Sequence, residues 1–417
     1  MKFKSKIIIT LIIAILVLFL KLINVLQIEN GLGNPFIIIL MIICFSSITI
    51  FVQKNIDKNY NENKVNYQNL DILKYLSAIL IMILHLRPFI NFSGQLDLAF
   101  NNIITRICVP IFFIIPGYFV AKKENNNENY IKDYIKKTIP LYLVWSLLYI
   151  PIIIGTIIKY LPIINEYISK INISLPLFII LLMLLLPVVI LIALCYTGTY
   201  YHLWYFPAII FSLLILKKWK NKFNIKYLLV ISFILLLFGA TETYYGVLPL
   251  SIKELSSYYY NIFFTTRNFL FFGLFYVVLG YFIGTKEKPY SKYCFAKLII
   301  SFFLLVFEAI LLHDTNRLNS NILLSCVPLT YYLFISVIYI TNNIKLKFQF
   351  GSLSKYYYLI HPMIIYILSI SYPKLNNNPW LEIFIVLVIT HIISLIIIKK
   401  PINNIIIRKT QNKKIAN

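Results

Sequence analysis

Charge is what this sequence has little of. Only 13% of its 417 residues are Asp, Glu, Lys or Arg, where a soluble protein of this length carries about 25%. Acidic residues are the scarcest, 15 against 39 Lys and Arg, while 60% of the chain is hydrophobic. A soluble fold built on one very large core does not fit that balance. Cysteine is sparse as well. Cys44, Cys108, Cys195, Cys294 and Cys326 stand singly in or beside apolar runs, with no C-x-x-C or C-x-x-H spacing. That argues against metal and redox chemistry and for small buried hydrophobes. No internal repeat is evident, and no polar stretch is long enough for a soluble domain of useful size.

What the chain does have is a series of apolar runs, each long enough to cross the ~30 Å hydrocarbon core of a bilayer as a helix. The runs are continuous and do not alternate, which excludes barrel strands. The fold class expected is therefore all-α, a polytopic transmembrane helical bundle. Spans are predicted at 7–26, 36–52, 71–89, 103–120, 139–158, 201–216, 227–241, 269–284, 295–312, 321–341, 356–371 and 380–398. The net charge of +24 raises nucleic acid as a partner, but its distribution speaks against it. Lysines gather in alternate loops, the positive-inside pattern, which places both termini in the cytoplasm of a multi-pass plasma-membrane protein.

One apolar segment, Leu175–Cys195, breaks this scheme, because counting it as a crossing inverts every later loop. It is expected to be a re-entrant or outer-face insertion, with Pro187 breaking it. At the start, a basic segment and an apolar run resemble a signal peptide. No small-residue cleavage site follows, however, and Lys21 interrupts the run, so an uncleaved span is expected. The organisation read from the chain is an accessory transmembrane pair over 1–52, a cytoplasmic linker over 53–69, a membrane domain over 70–400 and a basic cytoplasmic tail over 401–417. About ten core helices thus follow two N-terminal ones.

Within the third span, Lys74 and His85 are eleven residues apart. Eleven residues of helix cover ~16 Å and bring both side chains to nearly the same face. An ionisable group at a bilayer midplane costs roughly 2.5–3.5 kcal/mol, so such residues need a reason to be there. Lys74 falls at the cytoplasmic interface and His85 toward the outside. A neutral imidazole there can take a proton from a hydroxyl that attacks an acyl thioester, which makes His85 the candidate general base. Arginines run against the lysine trend: four of five, Arg87, Arg106, Arg267 and Arg317, fall on the outer side. A guanidinium's planar fork suits carboxylate or phosphate, although snorkelling to headgroups accounts for such residues too. The cluster from Thr199 to Pro207, with His202 and Trp204, reads equally as an interfacial aromatic belt. Arg267-Asn268 reads equally as an anchor and a cap. Glu308, deep in its span, suits a site or a helix contact.

Four stretches in order resemble the acyltransferase 3 family of membrane acyltransferases. They are Leu73–Ser77 with Ile83–Leu86, then Arg106–Tyr118, Tyr201–Tyr205 and Tyr356–Pro362. The resemblance covers roughly residues 70–400 and implies about ten core helices. It also implies O-acylation of a hydroxyl on a cell-envelope saccharide or related acceptor, with acyl-CoA, usually acetyl-CoA, as co-substrate and no permanently bound cofactor. Carried over by motif, His85 is the catalytic histidine, and Lys74 stands where the family usually has arginine. Pro116 replaces the usual serine before Gly117. The substrate-binding candidates are Lys74, Arg106, His202, Trp204, Arg267, Asn268 and His361, with no metal ligand. The chain looks closest to the membrane half of vancomycin-resistance serine racemases, a half associated with serine uptake. A small-molecule transporter, or a non-catalytic membrane sensor, is accordingly the alternative.

Overall fold

The computed structural model describes residues 67–90, 94–124, 126–170, 175–286, 293–313, 321–339 and 349–399. The predicted spans 7–26 and 36–52, most of the linker and the tail lie outside the described residues. Among the described residues the regular structure is helical throughout. Apolar composition in lipid demands this, since every backbone N–H must find its acceptor within its own segment.

In chain order the helices are α1 Tyr67–Leu86, α2 Cys108–Lys123, α3 Tyr130–Leu148, α4 Ile150–Lys170 and α5 Leu175–Ile192. After these come α6 Tyr205–Trp219, α7 Ile225–Tyr244, α8 Leu250–Phe263 and α9 Leu274–Thr285. The last four are α10 Cys294–His313, α11 Cys326–Tyr339, α12 Phe350–Ser371 and α13 Pro379–Lys399. Among the described residues five runs are long and apolar enough to cross a bilayer, Tyr67–Leu86, Leu98–Lys123, Ile225–Val247, Cys294–Leu312 and Pro379–Lys399, and a bent pair could make a sixth. The protein is a multi-pass membrane protein. Each predicted span from 71 to 398 coincides with helix, although α6, α9 and α11 have only 15, 12 and 14 residues.

Two expectations need correction. The span predicted as 139–158 is two helices, α3 and α4, bent by 44° at their break. And Pro187 does not interrupt α5, which runs through it from Leu175 to Ile192. One missing hydrogen bond is tolerated in an otherwise unbroken apolar helix. Met183 and Leu184, at 69% and 68% exposure, turn outward as lipid-facing side chains do.

Two helix pairs organise the core. α2 lies against α9 at very short range, with Gly117 facing the Val277 carbonyl and Gly280 facing the Ile114 carbonyl. Glycines at 280 and 284 on one face form the small-x-x-x-small seam that lets membrane helices touch backbone to backbone. Around this seam pack Phe113, Ile114, Phe272, Val277 and Ile283. The second pair is α1 on α12, where Ala78, Met82, Tyr357 and Ile360 are buried together. Glu308 proves to be a structural acceptor. Its carboxylate takes the Leu324 and Ser325 amides at 2.6 and 2.7 Å and the Tyr244 hydroxyl, pairing the turn that opens α11.

Candidate functional site

The two helix pairs meet around a cavity of about 70 Å³. His85 enters from the last turn of α1, and Arg106 from the 3₁₀ turn Thr105–Ile107 that precedes α2. His202 and Trp204 arrive on the loop between α5 and α6, and Arg267 on the turn before Phe269. Asn321, Tyr201, Tyr358, Thr105 and Tyr205 add further polar groups to the lining.

The loop bearing His202 depends on Gly198. Its φ is +78°, a left-handed value, and a Cβ there would lie 2.3 Å from the Trp204 nitrogen. Only glycine suits that position. Beyond it, Tyr200 and Tyr201 stack into a ring of aromatics with Tyr149 and His202. The Tyr358 hydroxyl donates to the His202 carbonyl. These contacts hold His202 almost fully buried, yet neither of its ring nitrogens has a hydrogen-bond partner among the described residues.

Three imidazoles converge here. His85 and His361 stack with centroids 5.5 Å apart, and His202 lies 6.2 Å from His361. Tyr201 meets the His85 ring edge-on at 4.8 Å. His361 Nδ1 is 2.7 Å from the Tyr357 carbonyl, and its buried Nε2 has no partner among the described residues. A carbonyl can only accept, so Nδ1 carries the proton and Nε2 presents a lone pair. His85 differs in lining the cavity itself, within reach of a ligand.

The arginines face the same space. Arg106 donates to Asn321 and Asn102 side-chain oxygens, both at 3.4 Å. Arg267 lies over the Trp204 ring at 5.0 Å, a cation–π arrangement. The Nε of each is buried without a partner among the described residues. Burial lowers the Arg267 guanidinium from its ordinary value, and the nearby Glu242 charge opposes that shift.

His85, Arg106, His202, Trp204 and Arg267 thus come together around one cavity, with His361 stacked behind His85. Asn268 and Lys74 do not line it. Asn268 accepts the Leu270 and Phe271 amides at 2.9 and 3.1 Å and donates to Tyr196 and Tyr259. It is a helix cap, and these bonds occupy its side chain. Lys74 pairs with Asp71 at 2.9 Å and lies over Phe119. Because that pair is part-exposed, Lys74→Gln is expected to change stability by no more than about 1 kcal/mol, read as a thermal midpoint close to that of the parent. Two residues were missed from sequence, Asn321 and the buried Glu242 behind it. An isolated acid near the end of an apolar run was the available signal for Glu242.

The sequence profile of the acyltransferase domain matches residues 67–399. The chain belongs to the acyltransferase 3 family. Within the curated proteins it is similar to two amino-acid racemases of Enterococcus faecalis, 28% identical over 340 and 302 residues. These alignments take in 78% and 70% of this chain but 45% and 39% of the relatives. A serine/alanine racemase of Enterococcus gallinarum is 24% identical, over 78% of this chain and 45% of its own. The chain spans less than half the length of the curated relatives it matches. No solved structure matches it. The family is one of membrane acyltransferases; the place of the chemistry, the donor and the acceptor are left to be argued from the residues.

Proposed function

We propose that this acyltransferase 3 protein moves an acyl group, acetyl in the simplest case, from a CoA thioester to a hydroxyl of a cell-envelope saccharide or related acceptor. One observation carries this reading: His85 opens onto a cavity that also holds two guanidinium groups whose Nε atoms have no partner among the described residues. His85 takes the acceptor's hydroxyl proton as the oxygen attacks the thioester carbonyl. The new C–O bond forms, the C–S bond breaks, and the leaving thiolate receives the proton back from the imidazolium. Arg106 and Arg267 hold anionic groups of donor or acceptor and oppose charge growing on the carbonyl oxygen. Lys74, toward the other end of α1, would have to leave Asp71 to meet the anionic part of a donor entering from the cytoplasm.

The test is labelled acetyl-CoA with the full-length protein in vesicles and a panel of hydroxylated envelope saccharides. Label appearing in the saccharide as an alkali-labile ester supports the reading. A protein that neither consumes the thioester nor labels any acceptor opposes it. A second reading, movement of a small amino acid, is favoured by the small cavity and by relatives whose names mark amino acids as what they act on. Serine uptake that persists in a His85→Ala variant, without thioester consumption, would establish it instead.

A further inference from the structure

Behind the arginines lies a carboxylate that the sequence reading did not single out. Glu242 is 1% exposed, near the end of α7. Its Oε2 accepts the Thr266 amide at 2.8 Å and the Thr265 hydroxyl at 3.1 Å. The Thr266 hydroxyl, also 2.8 Å away, is shared with the Gly239 carbonyl. On the other side, Oε1 accepts the Asn321 amide nitrogen at 3.1 Å. Several donors converging on one carboxyl group is the setting of an anion.

Two consequences follow for the cavity. The first is orientation. A carboxylate can only accept, so Asn321 must turn its NH₂ to Glu242 and its oxygen to Arg106. That is the arrangement seen, with Arg106 donating to the Asn321 oxygen. The same carboxylate grips Thr265 and Thr266, and the Arg267 amide in turn donates to Thr265 Oγ1 at 3.1 Å. One side chain therefore seats both arginines. The second consequence is charge. Among the described residues the lining contains two guanidinium groups and no carboxylate, and Glu242 places a negative charge behind them.

We infer that Glu242 is a positioning residue that fixes Arg106 and Arg267 as a pair and leaves the cavity one net positive charge, making it a receptor for a group of single negative charge. This rests on reading the arginines as anion ligands, and not on acyl transfer. Removing the Glu242 charge would leave two uncompensated cations and shift preference toward dianions. Merely disturbing the packing would weaken all anions together.

The experiment measures acetate and sulfate binding calorimetrically on the full chain in lipid nanodiscs. Glu242→Gln is expected to raise the sulfate-to-acetate affinity ratio by about tenfold, as one added unit charge in a partly screened interior implies. Glu242→Asp, which keeps the charge, is expected to leave the ratio as it was. An unchanged ratio in folded Glu242→Gln overturns the inference. Should that variant fail to fold, Arg106→Gln removes one of the two cations and must lower the ratio; a ratio that holds or rises overturns it equally. Wild-type protein that binds neither anion, or Arg267→Gln protein that binds both undiminished, overturns the reading of the arginines themselves.

Discussion

Replacing His85 with glutamine is expected to lower the turnover of acyl transfer by about 10²–10⁴-fold, the usual share of a positioned acid–base group. KM for both substrates should stay close to that of the parent protein. Glutamine keeps much of the side chain's reach and polarity but cannot take a proton at neutral pH. The loss would therefore fall on the chemical step and not on binding. His361 is the natural comparison, because its ring stacks on that of His85 at 5.5 Å. Its Nδ1 is committed to the Tyr357 carbonyl, and it does not line the cavity, so it acts on His85 from behind. His361→Gln should consequently lower turnover less than His85→Gln, through loss of the stacking surface. Initial rates with purified variants decide the matter. Equal losses in the two variants, or full activity in His85→Gln, would remove His85 from the role of base.

Much of this arrangement was legible in the sequence, for identifiable reasons. Apolar length forces helix in lipid, so the helices between 71 and 398 were largely readable from hydropathy alone. Cations and imidazoles are costly in such runs, which is why His85, Arg106, His202 and Arg267 stood out, and they do share one cavity. The eleven-residue spacing of Lys74 and His85 was also sound as helix geometry. It carried no information about neighbours, however, and Asp71 one turn away takes the lysine's charge. Asn268 shows the same limit from the other side. Its oxygen caps a helix and its nitrogen meets Tyr196 and Tyr259, partners far along the chain or on another turn. Glu242 was hidden because its meaning comes from Thr266 and Asn321, 24 and 79 residues away. The bend between α3 and α4 did have a signal, Pro151 at the start of α4, because proline lacks the N–H and disfavours helix in the residue before it.

Gly280→Leu is expected to leave little correctly folded protein. A Cβ at Gly280 would lie 2.0 Å from the Ile114 carbonyl oxygen, and one at Gly117 would lie 2.0 Å from that of Val277. Both obstacles are backbone, so no rotamer change relieves them, and α2 and α9 must move apart. Overpacking a core that can shift costs typically about 1–3 kcal/mol, and a backbone collision with a rigid helix belongs at or above the top of that range. Separation would also withdraw Phe113, Phe272 and Val277 from the core they share. The effect reaches the site, because Phe272 lines the cavity and Arg106 precedes α2 on the same continuous run. Gly94 supplies the control: a Cβ there meets nothing within 4 Å, so Gly94→Ala should match the parent. Monodisperse yield and thermal midpoint in detergent are the measurements. A Gly280→Leu protein with the parent's midpoint would show that the seam between α2 and α9 does not hold the bundle together. A sharp loss there, with Gly94→Ala unaffected, would identify that seam as a contact the bundle cannot do without.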